Sequence, residues 1–203
     1  MNNLIQPKIE NETILQLPRI QYDGNVIIAD NIEKITKVIE HIKNISILGF
    51  DTETKPSFKK GIKNKISLIQ FALDDLVILI RINKTGLTDE IISVLTDKNI
   101  KKIGLSIRDD LRELQKLKHF SPAGFIDLQE YVQYFGIKDQ SLKKITALVL
   151  GRRISKSQQT SNWNNEVLSE PQIIYAATDA WICLKIYQKL KEIENNNSIN
   201  ISK

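Results

Sequence analysis

Within residues 45–82 the chain places three apolar runs, at 45–50, 65–73 and 76–82. The last two are separated only by Asp74 and Asp75, a polar pair long enough for a tight turn and nothing more. Runs this rich in Ile, Leu and Phe read as neighbouring strands of a meander. No other feature narrows the fold as much, because the rest of the chain must cover the apolar faces of that sheet.

The remainder alternates. Residues 21–29 form a short strand, and Asp30 with Glu33 makes a capping-box pattern that opens a helix to about Asn44, with Ile32, Ile35, Ile39 and Ile42 on one stripe. Residues 88–96 read as a helix, 102–105 as a strand, and 107–118 as a helix with Leu111, Leu114 and Leu117 inward. Phe125 and Ile126 make a short strand, after which Asp127 and Glu130 cap another helix. A helix at 141–150 is closed by Gly151, 152–163 is an aperiodic loop, and Ser169, Pro171 and Gln172 start a long helix to about Glu194. Strands clustered early with helices interleaved later predict an α/β fold with a mixed sheet. The expected organisation is an N-terminal arm outside the core at 1–20, one domain at 21–194 and a flexible polar tail at 195–203.

Composition bounds the chemistry. A chain of 203 residues suits one well-buried domain, and 41% apolar residues with 8 Gly and 5 Pro exclude a disordered or collagenous chain. Cys183 is the lone cysteine, so an intramolecular disulfide is impossible and structural zinc is disfavoured. No apolar run approaches the ~20 residues of a membrane span, so no membrane partner is expected. The polar N-terminus lacks a signal-peptide core, and the expected location is cytoplasmic, with Cys183 acting as a small core hydrophobe. The net charge of +5 hints at a polyanionic partner.

Four carboxylates stand where charge is costly. Asp51 and Glu53 follow directly on the run at 45–50, and at a period of two they project to one side of the sheet. A solvated strand end is the ordinary reading of such a pair; a bound cation is the alternative that removes their repulsion. On the last helix Tyr175, Asp179, Ile182, Ile186, Leu190 and Ile193 share one stripe, which turns Asp179 inward. Burying an unpaired carboxylate costs on the order of several kcal/mol, so Asp179 requires a network or a metal. Asp110 lies on the inward stripe of its helix between Ile107 and Leu114, whereas Asp109 keeps company with Arg112, Glu113 and Lys116 on the polar face. Such a carboxylate set without a His or Cys cluster is an oxygen-only site suited to hard divalent cations.

Three segments in order carry a resemblance: Phe50-Asp51-Thr52-Glu53-Thr54, Gly104-Leu105-Ser106-Ile107-Arg108-Asp109-Asp110, and Tyr175-Ala176-Ala177-Thr178-Asp179. Together they are similar to the motifs of the DEDDy 3′-5′ exonucleases, in the ribonuclease D and Werner-type branch. The resemblance spans roughly residues 30–190, with further similarity at 66–72, at Ser141-Leu142 leading to Gly151, and at Ser161-Asn162-Trp163. It implies a ribonuclease H-like fold, a mixed sheet flanked by helices. It also implies two-metal hydrolysis from the 3′ end with Mg²⁺ or Mn²⁺, releasing nucleoside 5′-monophosphates. By position Asp51, Glu53, Asp110 and Asp179 match the metal-binding carboxylates, and Tyr175 matches the tyrosine that orients the attacking water. The implied substrate is a single-stranded or frayed 3′ end of DNA or RNA. A silent binding or assembly module on the same fold would be favoured by a missing motif carboxylate, and none is missing.

Basic residues flank these motifs. Lys55, Lys59, Lys60, Lys63 and Lys65 follow the first, and Arg152, Arg153 and Lys156 begin the loop before the last helix. Either a solvated loop or contact with backbone phosphates explains them, and the expectation here is that Lys55, Lys59, Lys60, Lys63, Arg152, Arg153 and Lys156 grip the strand. Phe58 is placed to stack on a base or to tuck in, Trp163 is expected to pack beneath the last helix, and His41 and His119 are read as surface residues.

Overall fold

The computed structural model describes residues 5–56 and 64–201, with side chains as far as residue 196. Its strands are β1 (Asn25–Ala29), β2 (Ile47–Thr54), β3 (Ile66–Ala72), β4 (Leu76–Ile80), β5 (Lys101–Gly104) and β6 (Phe125–Asp127). They lie side by side in the order β1-β4-β3-β2-β5-β6. β2, β3 and β4 pair antiparallel in succession, which is the expected meander. β1 joins β4 in parallel at one edge, and β5 and β6 extend the other edge in parallel beyond β2. The helices are α1 (Asn11–Gln16), α2 (Ile32–Ile42), α3 (Ile82–Thr85), α4 (Asp89–Thr96), α5 (Ile107–Leu117), α6 (Leu128–Tyr131), α7 (Leu142–Leu150) and α8 (Glu170–Ile201), with a 3₁₀ turn at Val132–Phe135.

β3 is buried along its whole length because both faces of the central sheet are covered. Ile69 and Phe71 point to the side covered by Ile35, Ile39 and Ile42 of α2 and Ile91 and Leu95 of α4. Leu68 and Ala72 point to the other side, against Ala176, Ala177 and Ala180 of α8. Each fully buried Ile or Phe contributes ~1.5–3 kcal/mol relative to exposure, so this two-sided core dominates the fold's stability. Small residues let α8 approach closely: a Cβ at Gly49 of β2 would collide with the carbonyl oxygen of Ala180. Any larger side chain there must push the helix off the sheet.

Several expectations need correction. Strand β2 does not stop at Asp51; its ladder with β3 continues through Thr54, with a bulge between Glu53 and Thr54. The cap of α2 is Asn31, which accepts from the Lys34 N–H across 2.9 Å, while Asp30 pairs with the Lys34 ammonium. Ile32 is accordingly exposed, and Val38 completes the buried stripe instead.

The N-terminal arm is not outside the core. Ile14 of α1 is fully buried. Ile20 N–H donates to the Arg153 carbonyl at 2.9 Å and Arg153 N–H to the Pro18 carbonyl at 3.0 Å. Tyr22 N–H reaches Thr178 Oγ1 on α8 at 3.0 Å. A helix of six residues is too short to announce itself by periodicity, and the body it packs on supplies its stability. At the other end, α8 runs to Ile201 rather than ending near Glu194. Lys59, Lys60, Lys63 and Phe58 lie outside the described residues.

Candidate active site

The sheet and α8 bring three of the four acidic residues together. Asp51 and Glu53 alternate onto the α8 side of β2, and the close approach at Gly49 sets Asp179 beside them. Each of the three offers a carboxylate oxygen, and these oxygens lie within 4.8 Å of one another. Burial raises the Asp51 and Glu53 carboxyls far above the usual carboxylate range, and the charges of Asp179 and Asp110 raise them further. Asp179 is pushed up to about 7 by burial, against the opposing effects of the Tyr175 hydroxyl and Lys156. Acidic oxygens that resist ionisation together, without an Arg among them, form a donor set that fits a hard divalent cation.

Asp110 stands outside that tight triad. It projects from the first turn of α5, where Thr52 Oγ1 donates to its Oδ1 across 2.7 Å. Burial raises it to about 6, and this hydrogen bond acts in the opposite direction. Asp109 faces away, exposed and paired with Arg112 at 3.1 Å. The helical register therefore separates the two aspartates as their neighbours predicted.

The start of α5 is held from a distance. Asp127 accepts from the N–H groups of Ser106 at 2.9 Å and Ile107 at 3.1 Å, and also from Gln129 N–H at 2.9 Å. One carboxylate thus satisfies unpaired donors at the starts of both α5 and α6. The turn it fastens is strained, since Ser106 has φ of 58°, the only non-glycine positive φ among the described residues. The expected cap of α6 is present, and the cap that Asp127 gives α5 from a distant position is a role that no local pattern could reveal.

Tyr175 lies on α8 one turn before Asp179. Burial first, and then the charges of Asp179, Glu53 and Asp51, push its hydroxyl well above the usual phenol range. It stays protonated and so able to donate, since its ionised form is so disfavoured. Trp163 is fully buried against Tyr175, with ring centroids 6.1 Å apart, in the packing role expected of it. Gln70, the register partner of Asp51 on β3, is buried with no protein partner for its amide among the described residues.

These groups open onto a cavity of about 520 Å³ whose wall includes Leu105, Gln129, Leu142, Ile154, Lys156 and Gln159. Of the basic residues, Lys156 faces this cavity, while Lys55 and Arg152 are exposed nearby in sequence. Arg153 is committed elsewhere, its Nε donating to the Leu17 carbonyl at 2.8 Å to fasten the arm. His41 and His119 are exposed, and Cys183 is buried as a core residue that also borders the cavity.

A family model described as 3′-5′ exonuclease matches residues 26–194, a span that contains every one of these acidic residues. The chain belongs to the 3′-5′ exonuclease family. Among its relatives, the mouse (Mus musculus) bifunctional 3′-5′ exonuclease/ATP-dependent helicase WRN is 29% identical over 86% of this chain and 13% of its own length. The Nibbler EXO domain of Aedes aegypti is similar in structure, with a TM-score of 0.78 at 25% identity over 87% of this exonuclease-family chain and 93% of that domain. Ribonuclease D from Trypanosoma brucei, solved in complex with RNA U12, has a TM-score of 0.72 at 22% identity, covering 88% of this chain and 64% of its own. The ribonuclease H-like architecture of these neighbours is that of the mixed six-stranded sheet described above. The chain spans only a small part of the mouse relative. Among its described residues, no helix is long and apolar enough to cross a membrane.

Proposed function

We propose that this chain hydrolyses single-stranded or frayed nucleic acid from the 3′ end, releasing nucleoside 5′-monophosphates. The observation that carries this reading is the triad of Asp51, Glu53 and Asp179 oxygens within 4.8 Å of one another, with Asp110 hydrogen-bonded to Thr52, the residue between Asp51 and Glu53. Asp51, Glu53, Asp179 and Asp110 would hold two divalent ions, Mg²⁺ or Mn²⁺. Such ions supply the positive charge that stabilises the attacking and leaving oxygens of phosphodiester cleavage.

The chain's own residues do the rest. Tyr175, a hydroxyl donor beside Asp179, orients the attacking water, and its raised pKa keeps it protonated and suited to hydrogen bonding rather than to base catalysis. Lys156 faces the cavity and, with Lys55 and Arg152, neutralises strand phosphates without reading sequence. Lys59, Lys60 and Lys63 belong to the same basic stretch and are proposed to serve the same end. Arg153, engaged with the arm, is the weakest member of that set. The RNA held by the T. brucei neighbour supports RNA as the first substrate to test.

The test is degradation of 5′-labelled single-stranded RNA and DNA with Mg²⁺, with Mn²⁺ and after chelation. A ladder that requires the metal is expected on at least one of the two. Equal degradation after chelation would overturn the reading.

A further inference from the structure

A second, smaller cavity of about 190 Å³ lies behind Tyr175, and the N-terminal arm builds one wall of it. Arg19, Ile20 and Gln21 of the arm face Ser155 and Ser157 of the loop before α8, and Pro171, Ile174, Tyr175 and Thr178 of α8 form the floor. Ser155 and Tyr175 border both this cavity and the larger one at the carboxylates, so the two adjoin across a single residue layer. The arm is fixed where it must be for this purpose. Its backbone pairs with Arg153, and Tyr22 N–H bonds Thr178 on α8.

The chemistry of the small cavity is specific. Ile20, Pro171, Ile174 and the Tyr175 ring give an apolar surface. The two serine hydroxyls are hydrogen-bonded to each other at 3.0 Å, at the rim. Arg19 is exposed, and among the described residues its guanidinium has no carboxylate or carbonyl partner. An unpaired guanidinium beside an apolar, partly aromatic surface suits a planar base flanked by phosphate. The volume is below the ~300–1,000 Å³ typical of whole-ligand pockets, which suits a base alone rather than a nucleotide with its ribose and phosphate.

Resting on the exonuclease reading above, we infer that this arm-built cavity receives the base of the nucleotide on the 5′ side of the scissile phosphate, with Arg19 against that base and its phosphate. The arm is then part of the substrate-binding surface, and Tyr175 divides the nucleotide being removed from the one behind it. Bases stack on such surfaces with little regard to identity, so the site holds the strand in register without selecting sequence.

The experiment compares two 5′-labelled RNA strands that are identical except that one is abasic at the penultimate position. Binding is read by fluorescence anisotropy in Ca²⁺ and turnover in Mn²⁺, for the wild-type chain, Arg19→Ala and Arg19→Lys. The wild type should bind the intact strand on the order of ten-fold more tightly than the abasic one, as expected for one stacked base. Arg19→Ala should bring that ratio toward one. Arg19→Lys should keep the salt dependence of binding while losing most of the ratio. A wild-type ratio near one, or a ratio unchanged by Arg19→Ala, overturns the base-binding cavity. If the intact strand binds preferentially and neither strand is cut, the cavity stands and the exonuclease reading fails.

Discussion

The Thr52 hydroxyl donates to Asp110 across 2.7 Å, joining the strand that carries Asp51 and Glu53 to the helix that carries the fourth acidic residue. The two residues are 58 positions apart, and this bond fixes where Asp110 sits relative to the triad. It also favours the charged form of a carboxylate that burial, acting against this bond, still raises to about 6.

Thr52→Val should therefore raise the Asp110 pKa further, whereas Thr52→Ser should preserve it. With Asp110 more often protonated near neutral pH, the concentration of Mn²⁺ giving half-maximal activity should rise by about 10- to 100-fold in the Val variant, the usual cost of removing a group that supports a metal ligand. A titration at pH 6.5 and again at pH 8.5 measures this, and the deficit should shrink at the higher pH. An equal deficit at both values would mean that Thr52 acts through shape rather than through the proton.

Asp110→Asn should abolish metal-dependent cleavage with the fold intact, while Asp109→Asn should change little beyond an exposed pair with Arg112. Turnover and far-ultraviolet circular dichroism of both variants decide the matter. A dead Asp109→Asn beside an active Asp110→Asn would contradict the geometry of α5.

Stability without metal should fall as pH rises. Asp110 and Asp179 have folded-state pKa values of about 6 and about 7, above the ~3.9 of an unfolded aspartate. The folded state therefore binds more protons than the unfolded one, and the contribution present below pH ~4 is lost as the pH rises through 6 to 7. Asp51 and Glu53 are shifted in the same direction. In chelator, the melting temperature should decline between pH 5 and pH 8, and Mn²⁺ should restore most of the loss at pH 8. A melting temperature that rises across that interval would contradict the mutual repulsion described for the site.

Tyr175→Phe removes one hydroxyl from a well-packed ring and should leave the fold and metal-induced stabilisation intact. The turnover rate should drop by about 10²-fold at saturating substrate, the lower range for positioned proton-handling groups. Unchanged turnover would assign Tyr175 to packing against Trp163 alone.

The parts of this molecule legible in the sequence are those written in local periodicity. The meander appears as three apolar runs, and Asp179 betrays itself as an acid on an otherwise apolar helical stripe. Asp110 is separable from Asp109 for the same reason. The rest depends on contacts between distant segments. Asp127 shows only its local cap, although it also holds the start of α5 from 20 positions away. Thr52 carries no sign of its bond to Asp110. The arm reads as polar and irregular because α1 is short and its anchors are backbone groups that meet Arg153, which sequence alone assigns to the substrate.

If these carboxylates act as proposed, nucleotides leave one at a time from the 3′ end. The most direct measurement uses a single-stranded RNA labelled on its 3′-terminal nucleotide, incubated with Mn²⁺, with the first product identified by mass spectrometry and Asp179→Asn as the control. The wild type should release the labelled nucleoside 5′-monophosphate immediately, and the variant should release none. Release beginning at the 5′ end, cutting of a closed circular strand, or equal activity in Asp179→Asn would contradict removal from the 3′ end by this site.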